Sequence, residues 1–188
     1  MNDAIVKRNI GLLNAFTICV NTVFLLPIIL PFYKTLGLTF HDLLIGESVF
    51  AAGLILFDVP TGWLADHWGR KKTMAAGAAW YVLCLYMLMT ATSFWETVVA
   101  QGIISLAICL ISGANSAFLY DTLLAAGRTD EFRKREGFRF GLQLYACSFA
   151  CIAGAYLYTF SPSLPFQVEM AMMTLAVVFA LMLQEPKR

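Results

Sequence analysis

Six long apolar stretches, separated by short polar connections, set the pattern of this chain. They run over residues 9–33, 43–65, 73–92, 97–124, 137–160 and 166–183. Each approaches or exceeds the roughly 20 residues that a helix needs to cross a bilayer. The first carries no charged residue at all. A closed β-barrel, the other way to span lipid, needs short strands of alternating apolar and polar residues, and unbroken apolar runs do not supply them. The pattern therefore predicts an all-α membrane protein, a six-transmembrane-helix bundle. Its neighbours run antiparallel because the connections are short. The longest polar stretch, 125–136, mixes both signs of charge and predicts a short amphipathic helix at the membrane surface.

Proline and glycine modulate this pattern. Pro27 and Pro31 lie late in the first run and should kink or weaken its outer end. Gly137 and Gly141 form a G-x-x-x-G at the start of the fifth run. Ala150 and Gly154 repeat the small-x-x-x-small spacing further along. Such faces let helix backbones approach closely in lipid.

Composition agrees with this reading and charge orients it. The 188 residues are 60% hydrophobic and 13% charged, and the mean hydropathy is +0.72. A soluble core of this length could not hide so much apolar surface. Lys7, Arg8, Arg70, Lys71, Lys72, Arg128, Arg133, Lys134, Arg135, Arg139, Lys187 and Arg188 fall on one side of the membrane, and Lys34 alone on the other. By the positive-inside rule both termini are expected to be cytoplasmic, in the cell (plasma or inner) membrane. The first apolar run follows Lys7-Arg8 without a small-residue cleavage site, so it reads as an uncleaved first helix. The five cysteines, Cys19, Cys84, Cys109, Cys147 and Cys151, all lie inside apolar runs and read as buried, reduced residues. No spacing suits a metal, and no basic field suits nucleic acid.

The most specific signal is the stretch from Asp58 to Lys72, with Gly62, Asp66, Gly69, Arg70 and Lys71 at fixed spacing between the second and third runs. Gly62 has no side chain, so another helix can pack against it. Gly69 permits a tight turn between antiparallel helices. Asp66 and Arg70, four apart, can pair. This stretch resembles the G-x-x-x-D-[RK]-x-G-[RK]-[RK] signature of the major facilitator superfamily, in residues and in place. It departs at His67, where the family usually has Arg or Lys, so one charge is weaker or depends on pH. The resemblance implies a fold of 3+3 inverted repeats, one half of a twelve-helix transporter. It also implies that this loop latches two halves together in the outward-facing state. The run from Ser112 to Leu123 is similar to a stretch of a prokaryotic facilitator subgroup. In related transporters an acid at this end of the fourth helix pairs with the signature Arg, which here would join Asp121 to Arg70. The plain alternative is that Asp121 ends its helix in water.

Polar residues at bilayer depth are costly and face protein or water. Asn14, Thr17 and Asn21 share a face of the first run, and Ser112, Asn115 and Ser116 lie together on the fourth. Because helices 1 and 4 line the central cavity in the family, the resemblance makes Asn14, Asn21 and Asn115 candidate substrate contacts. The alternative is interhelical hydrogen bonding. Asp58, about two turns inside the end of helix 2, either titrates during transport or partners nearby groups. Glu47 and Glu169 lie near the outer ends of helices 2 and 6. Helices 3 and 6, poor in polar groups, are expected to be the outer, lipid-facing ones.

These observations favour a secondary active transporter that moves a small solute by alternating access. Proton coupling and efflux fit the resemblance. The sequence carries no nucleotide-binding G-x-x-x-x-G-K-[ST]. His41 and His67 both fall at loops, so an intramembrane enzyme is disfavoured. No cofactor is expected. Residues 1–188 read as the N-terminal six-helix domain, with Gln184 onward resembling the start of a central loop. The expected partners are a small-molecule substrate, H+, the bilayer, and a missing C-terminal half. A half that works as a dimer with a second copy, or a non-transporting scaffold, is the alternative.

Overall fold

The structure, a computed structural model, describes residues 2–186. Seven α-helices and one 3-10 turn account for its regular elements, and the described residues contain no strand. The helices are α1 (Asp3–Val20), α2 (Ile29–Thr35), α3 (Phe40–Trp68), α4 (Arg70–Met89), α5 (Phe94–Leu124), α6 (Phe132–Phe160) and α7 (Leu164–Met182). Five of them, α3 to α7, are long and apolar enough to cross a membrane. The fold is thus a helical membrane bundle.

The first predicted span is the exception to the six continuous helices. It starts earlier than the apolar run, at Asp3, because Asn2 caps it by accepting the Ala4 N–H. It then stops at Val20 and resumes as the short α2. Proline accounts for the later part of the gap. Pro27 cannot donate to residue 23, nor Pro31 to residue 27, so helical bonding cannot run through either. Asn21 closes α1 by donating its side-chain amide to the Thr17 carbonyl at 2.8 Å.

Other boundaries have local causes that apolar runs do not display. Thr39 with Asp42, and Ser93 with Glu96, form reciprocal capping boxes that start α3 and α5 three residues before their apolar runs. Segment 125–136 is not an amphipathic surface helix. After a turn through Gly127 and a 3-10 turn at Thr129–Glu131 it runs directly into α6. Arg128 ties this corner down, reaching Asp3 and Glu131 at 2.6 Å each.

Helix α5 is the hub of the bundle. It packs along both α3 and α4, while α7 packs on α4 and α1. The α4–α5 seam rests on small residues. A Cβ at Gly77 would stand 2.9 Å from Ile111 and Leu110 side-chain atoms. Two apolar clusters follow, one around Phe16, Met74 and Phe118, the other around Tyr33, Leu85 and Phe166. Helices α3 and α6 leave the widest apolar faces uncovered: Ile55, Val59 and Trp63 on α3, Tyr145, Phe149 and Ile152 on α6. Within this chain α4 and α7 are better buried than α3 and α6. Lipid tails are as apolar as leucine, and hydropathy cannot separate a lipid-facing surface from a packed one.

The glycines divide in the same way. Beside Gly137 and Gly141 nothing among the described residues lies within 4 Å of a Cβ position. At Gly154 a Cβ would overlap the Phe24 carbonyl oxygen. Helix α6 therefore meets the gap in the first span through Gly154. Cys19, Cys84 and Cys109 are buried, Cys147 and Cys151 are half-buried, and all five are free thiols.

Candidate functional site

The joint between α3 and α4 is a single residue. Gly69 takes φ +104°, a conformation that side chains other than glycine's resist, and it ends one helix while opening the next. That geometry delivers Arg70 to the first turn of α4. Its guanidinium lies between two acids: Nη2 is 3.3 Å from Asp66 Oδ1, and Nε is 3.1 Å from Asp121 Oδ2 on α5. Asp66 is largely exposed, whereas Arg70 and Asp121 have only 15% and 16% of their side chains accessible. The Arg70–Asp121 contact is thus the shielded one, and it clamps α4 to α5 at their ends.

A third acid completes the cluster. Glu185, just beyond α7, accepts the Arg70 backbone N–H at 2.8 Å. A carboxylate there satisfies an orphan donor and meets the positive end of the α4 dipole. The preceding residue is held equally well. Asn9 donates to the Gln184 carbonyl at 2.8 Å and accepts the Gln184 N–H at 3.1 Å. The segment after α7 is therefore pinned to α1 and to the signature loop. An acid directly after the last apolar run was the available signal for Glu185.

The remaining loop residues make fewer contacts. Gly62 has nothing within 4 Å of a Cβ position among the described residues, and Lys71 makes no ion pair among them. His67 stacks on Trp63 at 4.2 Å and bonds the Trp63 carbonyl through Nδ1 at 2.9 Å. Replacing Gly69 with Ala forces a Cβ into positive φ and to 3.3 Å from Glu185 Oε1. We expect Gly69→Ala to destabilise the protein by about 1–2 kcal/mol, read as a lower unfolding midpoint in detergent micelles.

The three asparagines do not converge on one space. Asn14 lines a cavity of about 370 Å³ beside Leu119, Glu131 and Arg135. Asn21 and Asn115 line another of about 290 Å³ among α1, α4, α5, α6 and α7. Asp58 is exposed in an open groove with Leu54, Ile55 and Cys109. Ile108 and Ser112 border both the groove and the second cavity.

Two polar clusters lay hidden in the apolar pattern. The first is on the wall of the second cavity. Arg139, with 7% of its side chain accessible, holds Glu136 through Nη2 at 2.6 Å and Nε at 3.1 Å. Ser116 accepts from Arg139 at 2.8 Å and donates to Glu136 at 2.8 Å. Charge counting placed Arg139 among the cytoplasmic-side charges, at the start of the fifth run. Its spacing of three from Glu136, inside what is helix, was the overlooked sign. The second is Glu169, fully buried on α7. Its carboxylate accepts the Leu25 N–H at 3.0 Å and the Tyr81 hydroxyl at 3.2 Å. The gap between α1 and α2 thus has its freed backbone satisfied by a side chain 144 residues away.

A helical membrane bundle with a one-residue joint between two spanning helices and solute-sized cavities among its helices suits a transporter. The chain matches the Major Facilitator Superfamily over residues 11–188, nearly its whole length, and it belongs to that family. It is also 26% identical over 102 residues to an uncharacterized transporter of Buchnera aphidicola subsp. Baizongia pistaciae (strain Bp). That alignment takes in 52% of this chain and 25% of the relative, so the chain spans well under two thirds of the protein it matches.

Proposed function

We propose that this chain is the N-terminal six-span half of a secondary transporter that moves a small solute by alternating access, as proton-coupled efflux. In this reading α1, the turn after it and α2 make one broken span, and both termini are cytoplasmic in the cell membrane. The observation that carries it is Arg70, held between Asp66 and Asp121 at the α3–α4 joint. A shielded ion pair that ties two spanning helices suits the role of a two-state element. Intact, it locks α4 to α5, and broken, it lets those ends separate. Gly62, Gly69 and Lys71 complete the latch. The uncovered faces of α3 and α6 support a second half as its partner, either six further helices or a second copy.

Asn21 and Asn115 offer the solute polar contacts in the second cavity, and Asn14 offers one in the first. Asp58 is the candidate for proton coupling.

Vesicle flux tests this reading. Proteoliposomes carrying the chain together with a matching C-terminal half should move solute along an imposed pH gradient. Arg70→Ala and Asp121→Asn should each lower that flux at least about tenfold, the cost of an interaction worth 1.4 kcal/mol. Equal flux from the chain alone would overturn the half reading in favour of a self-associating dimer. A pH dependence untouched by Asp58→Asn would remove Asp58 from the coupling.

A further inference from the structure

Glu169 sits within the spanning helix α7 and is 0% exposed. A solute in a cavity cannot touch it, and its oxygens are already taken by the Leu25 N–H at 3.0 Å and the Tyr81 hydroxyl at 3.2 Å. What it lacks is a counter-charge. No Lys, Arg or His among the described residues pairs with it. The groups that face it are the Phe24 and Leu25 N–H groups in the gap, Tyr81 with Cys84 beside it on α4, and Cys151 with Cys147 on α6. All of these are uncharged at neutral pH. A third cavity, of about 180 Å³, brings Glu47 of α3 to the same region, with Gln101 of α5 bonded to it at 3.0 Å and Tyr33 of α2 near it. Arg139, on the wall of the second cavity, is held by Glu136 at 2.6 Å. An acid inside a spanning helix with no base to pair it sheds its charge in one way, by taking a proton.

The proton has a carrier. Tyr81 lines both the second cavity and the third, and its hydroxyl donates to Glu169 Oε1. A hydronium ion at Tyr81 gives a proton to the phenol oxygen while the phenol passes its own proton to Oε1. The products are water, an unchanged Tyr81 and a neutral Glu169 acid whose new O–H points back to the Tyr81 oxygen. The lost charge then acts on the gap. A hydrogen bond to a carboxylate is roughly twice as strong as one to a neutral acceptor. The Leu25 N–H is therefore held less firmly once Glu169 is protonated, at the point where the first span is broken.

We propose that Glu169 is a proton-binding site of the transport cycle, loaded through Tyr81, and that its loading loosens the joint between α1 and α2. The proposal rests on the proton-coupled reading above and adds to it a second carboxylate, buried where Asp58 is exposed.

Infrared difference spectra of the full chain in proteoliposomes, taken between alkaline and acid pH, test the site through the carbonyl stretch of a protonated carboxyl. One such band is expected to vanish in Glu169→Gln and to survive in Asp58→Asn, with folding checked by circular dichroism. In Tyr81→Phe the band should remain but shift in frequency, because the acid loses its hydroxyl partner. That variant decides the matter even if Glu169→Gln does not fold. Acid bands unchanged by both variants would overturn the proton site. Protection of the Leu25 amide from exchange should fall between alkaline and acid pH in the unaltered chain and not in Glu169→Gln, and protection that stays constant would overturn the loosening of the joint. Coupling is read separately, with a matching C-terminal half present. Glu169→Gln should lower flux driven by a pH gradient about tenfold or more, while solute exchange at equal pH on both sides is unchanged. A bracing role alone would lower the two alike, and that result, or driven flux untouched, would overturn the part in coupling. No flux from the unaltered pair of halves would overturn the transporter reading and the coupling with it, whereas the infrared band decides the proton site by itself.

Discussion

Gly154→Ala is expected to destabilise the protein by about 3 kcal/mol and to lower its yield in membranes. The added methyl carbon would overlap the Phe24 carbonyl oxygen and stand within 3.0 Å of two more backbone atoms of Phe24. Backbone cannot swing aside as a flexible side chain does, so α6 must back away from the gap between α1 and α2. Gly141→Ala is the matched control on the same helix. Nothing among the described residues lies near its Cβ position. There the change should be neutral or stabilising by about 0.5–1 kcal/mol, the helix preference for Ala over Gly. Unfolding midpoints of the two variants in the same micelles decide the matter. Equal shifts would show that α6 does not seat on the gap.

The second large effect is expected at Glu169. Glu169→Ala leaves the Leu25 N–H and the Tyr81 hydroxyl without a buried acceptor, and each such loss costs about 1–3 kcal/mol. The variant should fall by about 3 kcal/mol in stability. Glu169→Gln keeps one acceptor oxygen of the right shape and should recover about half of that loss. Tyr81→Phe removes a donor while leaving Leu25 bonded, so it should cost less than Glu169→Ala. If Glu169→Ala and Glu169→Gln prove equally stable, the carboxylate does not hold the gap. Amide exchange at Leu25 gives a local reading, since that proton should exchange faster only where its acceptor is gone.

Most of the bundle was legible from the amino-acid order, and the reasons are physical. Every backbone group in lipid must be satisfied within its own segment, so apolar length reads almost directly as helix for α3 to α7. The signature stretch could be placed because its chemistry is local: Asp66 and Arg70 are one turn apart, and Gly69 must turn. What stayed hidden was long-range. No periodicity announces that Glu185 will meet the Arg70 N–H, or that Gln184 will meet Asn9. Arg139 was counted as a surface charge because the charge count sees sequence position, whereas burial depends on the Glu136 and Ser116 beside it. The prolines warned of a weak outer end in the first span. They could not say that α1 would stop as early as Val20, because that depends on Glu169 receiving the freed N–H of Leu25. Gly137 and Gly141 matched a packing motif better than Gly154 did, yet of these three only Gly154 meets backbone among the described residues. A motif records small size and not what lies opposite.

The gap between α1 and α2 also bears on how the protein is made. Its Leu25 N–H finds its acceptor on Glu169, which leaves the ribosome 144 residues later. At 5–20 residues per second that interval is roughly 7 to 30 s. During it the first segment is in the membrane, or beside it, with a break that nothing yet synthesised can satisfy. The break after α1 is therefore expected to stay near water or within the insertion machinery until α7 arrives. The α1–α2 region closes only once α7 is made, so this bundle does not assemble strictly in the order of translation.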